Sequence, residues 1–125
     1  MKGFITVFFG AGIGGALRHG INVASLALFG PGFPMGTLII NVLGSCAMGL
    51  LTGYFALHND PGQHWRLFFT TGILGGFTTF SAFSLDTALL IERGQPGTAV
   101  GYVLLSVLLS IGALFAGMLL MRQLA

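Results

Sequence analysis

Four runs of almost uninterrupted apolar residues divide the chain, and each is long enough to cross a bilayer as a helix. They extend from about Gly3 to Phe29, Phe33 to Leu57, Leu67 to Ile91 and Thr98 to Met121. A hydrocarbon core is spanned by about 20 helical residues, and every run exceeds that, which leaves room for tilt. Lipid offers the backbone no hydrogen bonds, so an apolar run of this length commits to helix. Only 6% of the 125 residues are charged, whereas 54% are hydrophobic. A water-soluble domain carries about 25% charged residues, so a solvated surface is excluded. The expected fold is an all-α membrane protein with four transmembrane helices per subunit, forming a single domain over residues 1–125. The opening "MKGFITVFFGAGIGGAL" also has the charged start and apolar stretch of a signal peptide. Three more apolar runs follow it, which favours a first span instead.

The connections read as turns: "GPGFP" (Gly30 to Pro34), "HNDPGQHW" (His58 to Trp65) and "ERGQPG" (Glu92 to Gly97). Trp65 stands where an interfacial anchor belongs. An even number of spans puts both termini on one side of the membrane. Lys2, Arg66 and Arg122 lie on that side, and Arg93 lies opposite. The excess favours cytoplasmic termini, but by so small a margin that insertion in both directions is open. The formal charge of +2 is too small for a nucleic-acid surface, and Cys46 alone can form neither an internal disulfide nor a thiolate metal site. No nucleotide motif, redox-metal cluster or catalytic constellation is present, so the chain is read as no enzyme.

Glycine occurs 21 times, and Gly10/Gly14, Gly49/Gly53, Gly72/Gly76 and Gly97/Gly101 match the GxxxG spacing. Small residues let helices approach closely in lipid. A bundle packed that tightly has little interior of its own, so a pathway calls for a second subunit.

Polar side chains inside the spans cost free energy unless they are satisfied or face water. Thr37, Asn41 and Ser45 follow at intervals of four, as do Tyr102, Ser106 and Ser110. Each trio forms a stripe along one helix face. Phe80 and Phe83 share another face, with Thr79, Ser81 and Ser84 beside them. Hydroxyls in helices often bond back to their own carbonyls, and aromatic pairs at this spacing often serve as core. Aligned stripes that hold an Asn and a Tyr point instead to a file of uncharged donors, suited to a small anion. Ring edges are electropositive and can join that file. Arg18 lies well inside the first run, with Asn22 one turn on, where a permanent cation would draw an anion into a vestibule. His19 reads as a packing residue. Asp86, toward the end of its run, is the awkward member of an anion path. Gly75-Gly76 favours an interruption of the third helix. Irregular backbone at membrane depth survives only where it is buried or lines a cavity, and unwound carbonyls there can hold Na⁺. One copy supplies too few oxygens, and an inverted partner would complete the shell.

These residues resemble the Fluc (CrcB) family of fluoride channels nearly end to end. The similarity rests on "GGALRHGIN" (Gly14 to Asn22), "PMGTLIINVLGS" (Pro34 to Ser45), "TTGILGGFTTFSAFS" (Thr70 to Ser84) and the Tyr102/Ser106/Ser110 stripe. The resemblance implies an antiparallel, dual-topology homodimer with two pores, a third helix broken near Gly75–Thr79, and a central structural Na⁺. It implies that Phe80, Phe83 and Asn41 line the fluoride path. Thr37, Tyr102, Ser106 and Ser110 would form a polar track, with Thr79 and Ser81 adjoining. Main-chain carbonyls of Gly75 and Thr78 would bind Na⁺, and Arg18 and Asn22 would stand at the vestibule. Two positions depart from the family pattern: Ala82 stands where a second Ser or Thr is common, and Leu74 where Cys is common. The implied function is passive fluoride export across the plasma membrane. Two alternatives are a small multidrug-type, proton-coupled exporter and a non-conducting membrane subunit. The exporter needs an embedded carboxylate in mid-membrane, and the subunit needs no aligned polar stripes.

Overall fold

A computed structural model describes residues 2–57 and 62–124. The described residues form four helical spans long and apolar enough to cross a membrane: Lys2–Phe29, Met35–Ala56, Leu67–Glu92 and Pro96–Leu124. Helix α1 is Lys2–Phe29, and α2 is Met35–Leu57. The third span is assembled from pieces. A short helix α3 (Gln63–Arg66) leads into a π-helical segment, Leu67–Leu74, then α4 (Gly75–Phe77) and, after Thr78–Phe80, α5 (Ser81–Glu92). The last span is α6, Pro96–Leu124.

Local chemistry sets the ends. Gly30 at φ +77° stops α1, and Pro34 lies just before α2. The turn between α5 and α6 is tighter than the sequence suggests, because Glu92 is still helical and Pro96 opens α6. Gly94 takes φ +79°, and the Gly94 and Gln95 N–H groups donate to the Ile91 and Leu90 carbonyls. This is the Schellman pattern, and glycine adopts its left-handed residue without steric cost. Pro96 suits a first helical position, where its missing N–H costs nothing. Of the expected second turn, His58, Asn59, Asp60 and Pro61 lie outside the described residues. Trp65 is helical, not in a turn, and its ring stacks on Phe69 with centroids 6.0 Å apart.

Two close helix pairings organise the bundle. Helix α2 lies most extensively against α6, and α1 against the first half of the third span. Both use glycine. A methyl group at Gly10 would sit 2.8 Å from Gly72 Cα, and one at Gly76 would sit 2.8 Å from Ala11 Cα. At Gly14 it would collide with the Ile73 carbonyl. Gly49, Gly53 and Gly117 do the same work between α2 and α6. Gly97 and Gly101, the fourth GxxxG pair, face open space within the chain. Helix α5 leans on α6 around a small core of Leu38, Leu90, Ala99 and Tyr102.

The third span departs from the sequence expectation in one respect. Gly75 and Gly76 are helical, with Gly75 at φ −63°, ψ −39°. Helical geometry stops at Phe77, Thr78 is extended at φ −82°, ψ 155°, and helix resumes at Ser81. The interruption therefore falls on a pair of β-branched residues, Thr78 and Thr79, whose hydroxyls compete for backbone groups. The glycines before it serve close approach. The π-helical turns upstream were not legible in the sequence; there the Gly75 N–H reaches back to the Thr70 carbonyl, one residue further than in an α-helix.

Candidate functional site

Two cavities open on the bundle. The first, of about 290 Å³, opens beside the Gly30–Pro34 turn and Arg93; Asn22, Ser25, Phe33, Thr37 and Asp86 help to line it. The second, of about 400 Å³, is lined by Asn41, Ser45, Phe80, Phe83, Ser106 and Ser110, with Thr78 and Thr79. The α2 stripe runs from one to the other. Thr37 is on the first cavity, and Asn41 and Ser45, on the same face of α2, are on the second. On α6, Tyr102 is fully buried, and Ser106 and Ser110 follow it into the second cavity.

Tyr102 stands between them. Its ring lies 5.3 Å from Phe83, which faces the second cavity, and 5.5 Å, edge on, from Phe33, which faces the first. Phe83 lies 5.6 Å from Phe80, so an aromatic file runs Phe80–Phe83–Tyr102–Phe33. Phe80 is 78% exposed in the single chain, so its ring edge is open to whatever covers this face. The Tyr102 hydroxyl donates to Asp86 Oδ2 at 3.2 Å, with Thr37 and Ser106 flanking it. That bond uses the only proton of Tyr102, which here is a wall of the track and not a free donor. It also gives Asp86 a partner, which the sequence alone did not supply.

The hydroxyls divide into two groups. Those of Thr6, Thr70, Thr78, Ser84 and Thr87 bond back to the carbonyls four residues earlier. The Ser106 and Ser110 hydroxyl oxygens are buried and have no partner among the described residues. A buried unpaired polar group costs about 1–3 kcal/mol, so two such hydroxyls beside one cavity stand out from those that bond back to their own helices. Arg18 Nε is likewise buried and unpartnered. Asn22, one turn away, reaches the first cavity and lies against Gly36 of α2.

Asn41 and Thr79 do more than line the second cavity. The Thr79 N–H donates to Asn41 Oδ1 at 3.1 Å, and Asn41 Nδ2 donates to the Thr79 carbonyl at 3.3 Å. Thr79 Oγ1 accepts the Ala82 N–H at 3.2 Å, capping α5, and lies 3.2 Å from the Ser81 hydroxyl. In an unbroken helix these two N–H groups would serve the carbonyls of Gly75 and Thr78. Both carbonyls are thereby released from their usual donors. Sequence reasoning missed Gly44, whose bare Cα lets the Thr78 methyl nest against α2, and Ser25, buried on the first cavity. The Asn41/Gly44 spacing carried the first signal, and the Asn22/Ser25 spacing the second.

The sequence profile of the family described as CrcB-like protein, Camphor Resistance (CrcB), matches residues 5–118. A protein of Methylobacterium nodulans named "Fluoride-specific ion channel FluC" is 57% identical over 123 residues, 98% of this chain and 98% of that one. One of the same name from Beijerinckia indica is 57% identical over the full length of both. "Fluoride-specific ion channel FluC 2" of Nitrobacter hamburgensis is 53% identical over 97% of this chain and 98% of its own. Similarity of this extent, along the whole of both chains, makes the protein a member of the CrcB family.

Proposed function

We propose that the protein is a fluoride-selective channel of the plasma membrane, working as a pair of oppositely inserted copies. Its relatives are named as fluoride-specific ion channels at more than half identity over nearly the whole chain. The observation that carries the reading is the buried, unpartnered Ser110 hydroxyl beside the second cavity, with Ser106 one turn before it toward the Tyr102 hydroxyl. Fluoride is small and holds its water tightly. A selective pore replaces that water with closely spaced donors and excludes larger anions by width, binding weakly enough at each station for the ion to leave.

Arg18, one turn before the Asn22 that lines the first cavity, supplies a permanent positive charge. The positive ring edges of Phe80 and Phe83 receive the ion, and the remaining Asn41 N–H and the Ser106 and Ser110 hydroxyls take over. Phe80 has no cover in the single chain, and a second copy inserted upside down supplies one. Transport is passive. HF enters from acidic surroundings, dissociates, and the anion leaves down its gradient.

The interrupted third span is the cation site in this scheme. The Gly75 and Thr78 carbonyls have lost the N–H groups of Thr79 and Ala82 to side chains, which leaves them free to bind a hard cation. Their oxygens suit Na⁺, and two copies together offer four. Bound Na⁺ supplies a fixed positive charge that joins the copies at the centre.

The test is release of trapped fluoride from liposomes, with an ionophore dissipating charge and an electrode recording the anion. Fast fluoride release without chloride release is expected. Phe80→Ile is expected to abolish it or slow it greatly while the protein still assembles, and undiminished flux in that variant overturns the pore assignment. Proton-coupled uptake of a cationic dye would instead mark an exporter.

A further inference from the structure

We propose that Asn41 is a positioning residue that couples the anion track to the cation site, by holding Thr79 so that the Gly75 carbonyl cannot return to its helical donor. The proposal rests on the sodium reading above. The default partner of the Gly75 carbonyl is the Thr79 N–H. Asn41 Oδ1 takes that N–H at 3.1 Å, and Asn41 Nδ2 holds the Thr79 carbonyl at 3.3 Å. A carboxamide presents a donor and an acceptor side by side, as a neighbouring strand would, and can satisfy both backbone groups of one residue. Thr78 before it is extended, the conformation that turns the chain toward α2. Gly44, on the same side of α2, leaves room for the Thr78 side chain. Helix α2 thus receives the interruption with a strap and a notch three residues apart.

The strap touches both functions. Asn41 lines the second cavity with Phe80, Phe83 and Ser110, and Phe80 is the residue after Thr79. Fixing the Thr79 backbone therefore sets where the Phe80 ring stands as well as where the Gly75 carbonyl is free. Asn41 acts on the cation through Thr79 and Gly75.

Two substitutions separate the roles. Asn41→Leu keeps the bulk and removes both bonds. Asn41→Asp keeps the acceptor for the Thr79 N–H, loses the donor, and puts a negative charge on the anion path. Both are compared with the full-length wild type. The unfolding midpoint of the detergent-solubilised protein is followed against Na⁺ at constant ionic strength, and fluoride release is measured from liposomes. Wild type should gain stability with Na⁺. Asn41→Leu should need at least about tenfold more Na⁺ for the same gain, equivalent to about 1.4 kcal/mol of lost cation binding, and should release fluoride slowly. Asn41→Asp should keep its Na⁺ midpoint within about threefold of wild type while losing at least about tenfold in fluoride release. Unchanged Na⁺ dependence in Asn41→Leu would overturn the strap while leaving the sodium reading intact. If Asn41→Leu does not assemble, loss of Na⁺ dependence in Asn41→Asp overturns the strap equally. A wild type indifferent to Na⁺ overturns the sodium reading, and the strap's coupling role falls with it.

Discussion

Removing the Ser110 hydroxyl should make the protein more stable and less conductive, a combination that a structural serine would not give. The Ser110 Oγ is buried without a partner, whereas the Thr87 hydroxyl donates to the Phe83 carbonyl at 2.9 Å. An unsatisfied buried hydroxyl costs about 1–3 kcal/mol, so Ser110→Ala should recover about 1 kcal/mol, seen as a rise of about 2–5 °C in the unfolding midpoint. A hydrogen bond to a charged group contributes about 1.5–3 kcal/mol. If the Ser110 hydroxyl donates a hydrogen bond to fluoride as it passes, the variant should lose about tenfold to a hundredfold in release rate, at about 1.4 kcal/mol per factor of ten. Thr87→Val is the control. It loses a bond to its own helix and should cost a few tenths of a kcal/mol with little change in flux. The assays are thermal unfolding in detergent and fluoride release from liposomes. Wild-type flux in Ser110→Ala, or a lowered unfolding midpoint, would refute the view that this hydroxyl is held for the ion.

Gly14→Ala places a methyl group on the Ile73 carbonyl and 2.8 Å from the Phe77 nitrogen, so α1 must move away from the third span. Overpacking of this kind costs about 1–3 kcal/mol, which unfolding should register. Tyr102→Phe keeps the contacts with Phe83 and Phe33 but leaves Asp86 without its donor. It should destabilise by about 1–3 kcal/mol. In a double-mutant cycle with Asp86→Asn the two losses should fall short of additivity by at least about 0.5 kcal/mol, and additive losses would mean that the bond contributes little. Exchanging Na⁺ for a larger cation during purification should weaken the assembled protein, and full indifference would count against the carbonyl site.

The spans were legible because length and apolarity leave the backbone no other structure in lipid. The two stripes on α2 and α6 were legible for a related reason: these helices are regular, so intervals of four residues translate directly into faces. The third span was not legible in the same way. Gly75 and Gly76 read as the weak point by propensity, yet Gly76 is packed against Ala11 of α1 and both glycines stay helical. Close approach in lipid outweighs the entropic cost of glycine in a helix. The departure moves on to Thr78 because Asn41, 38 residues from Thr79, receives the displaced backbone. A bond of that sequence separation has no local signature. The partner of Asp86 was hidden for the same reason, since Tyr102 meets it from another helix.

On the proposed reading, the donors of the track come from α6 and not from the span that is richest in Ser and Thr. Between Thr70 and Thr87 the chain passes from π-helix through an extended residue to α-helix, and regular carbonyl partners are lost along the way. There Thr70, Thr78, Ser84 and Thr87 turn back on carbonyls four residues earlier, and Thr79 caps the next helix. Each hydroxyl that donates to a carbonyl has no proton left for an ion, and Thr79 Oγ1, which accepts the Ala82 N–H, is engaged with the Ser81 hydroxyl as well. Helix α6 is unbroken from Pro96 to Leu124, and its Ser106 and Ser110 hydroxyls do not turn back on its carbonyls. The irregular span provides the aromatic edges and the free carbonyls, and the regular span across the cavity provides the hydroxyls. On that reading the donor track rests on the two α6 serines whose hydroxyls do not serve their own helix.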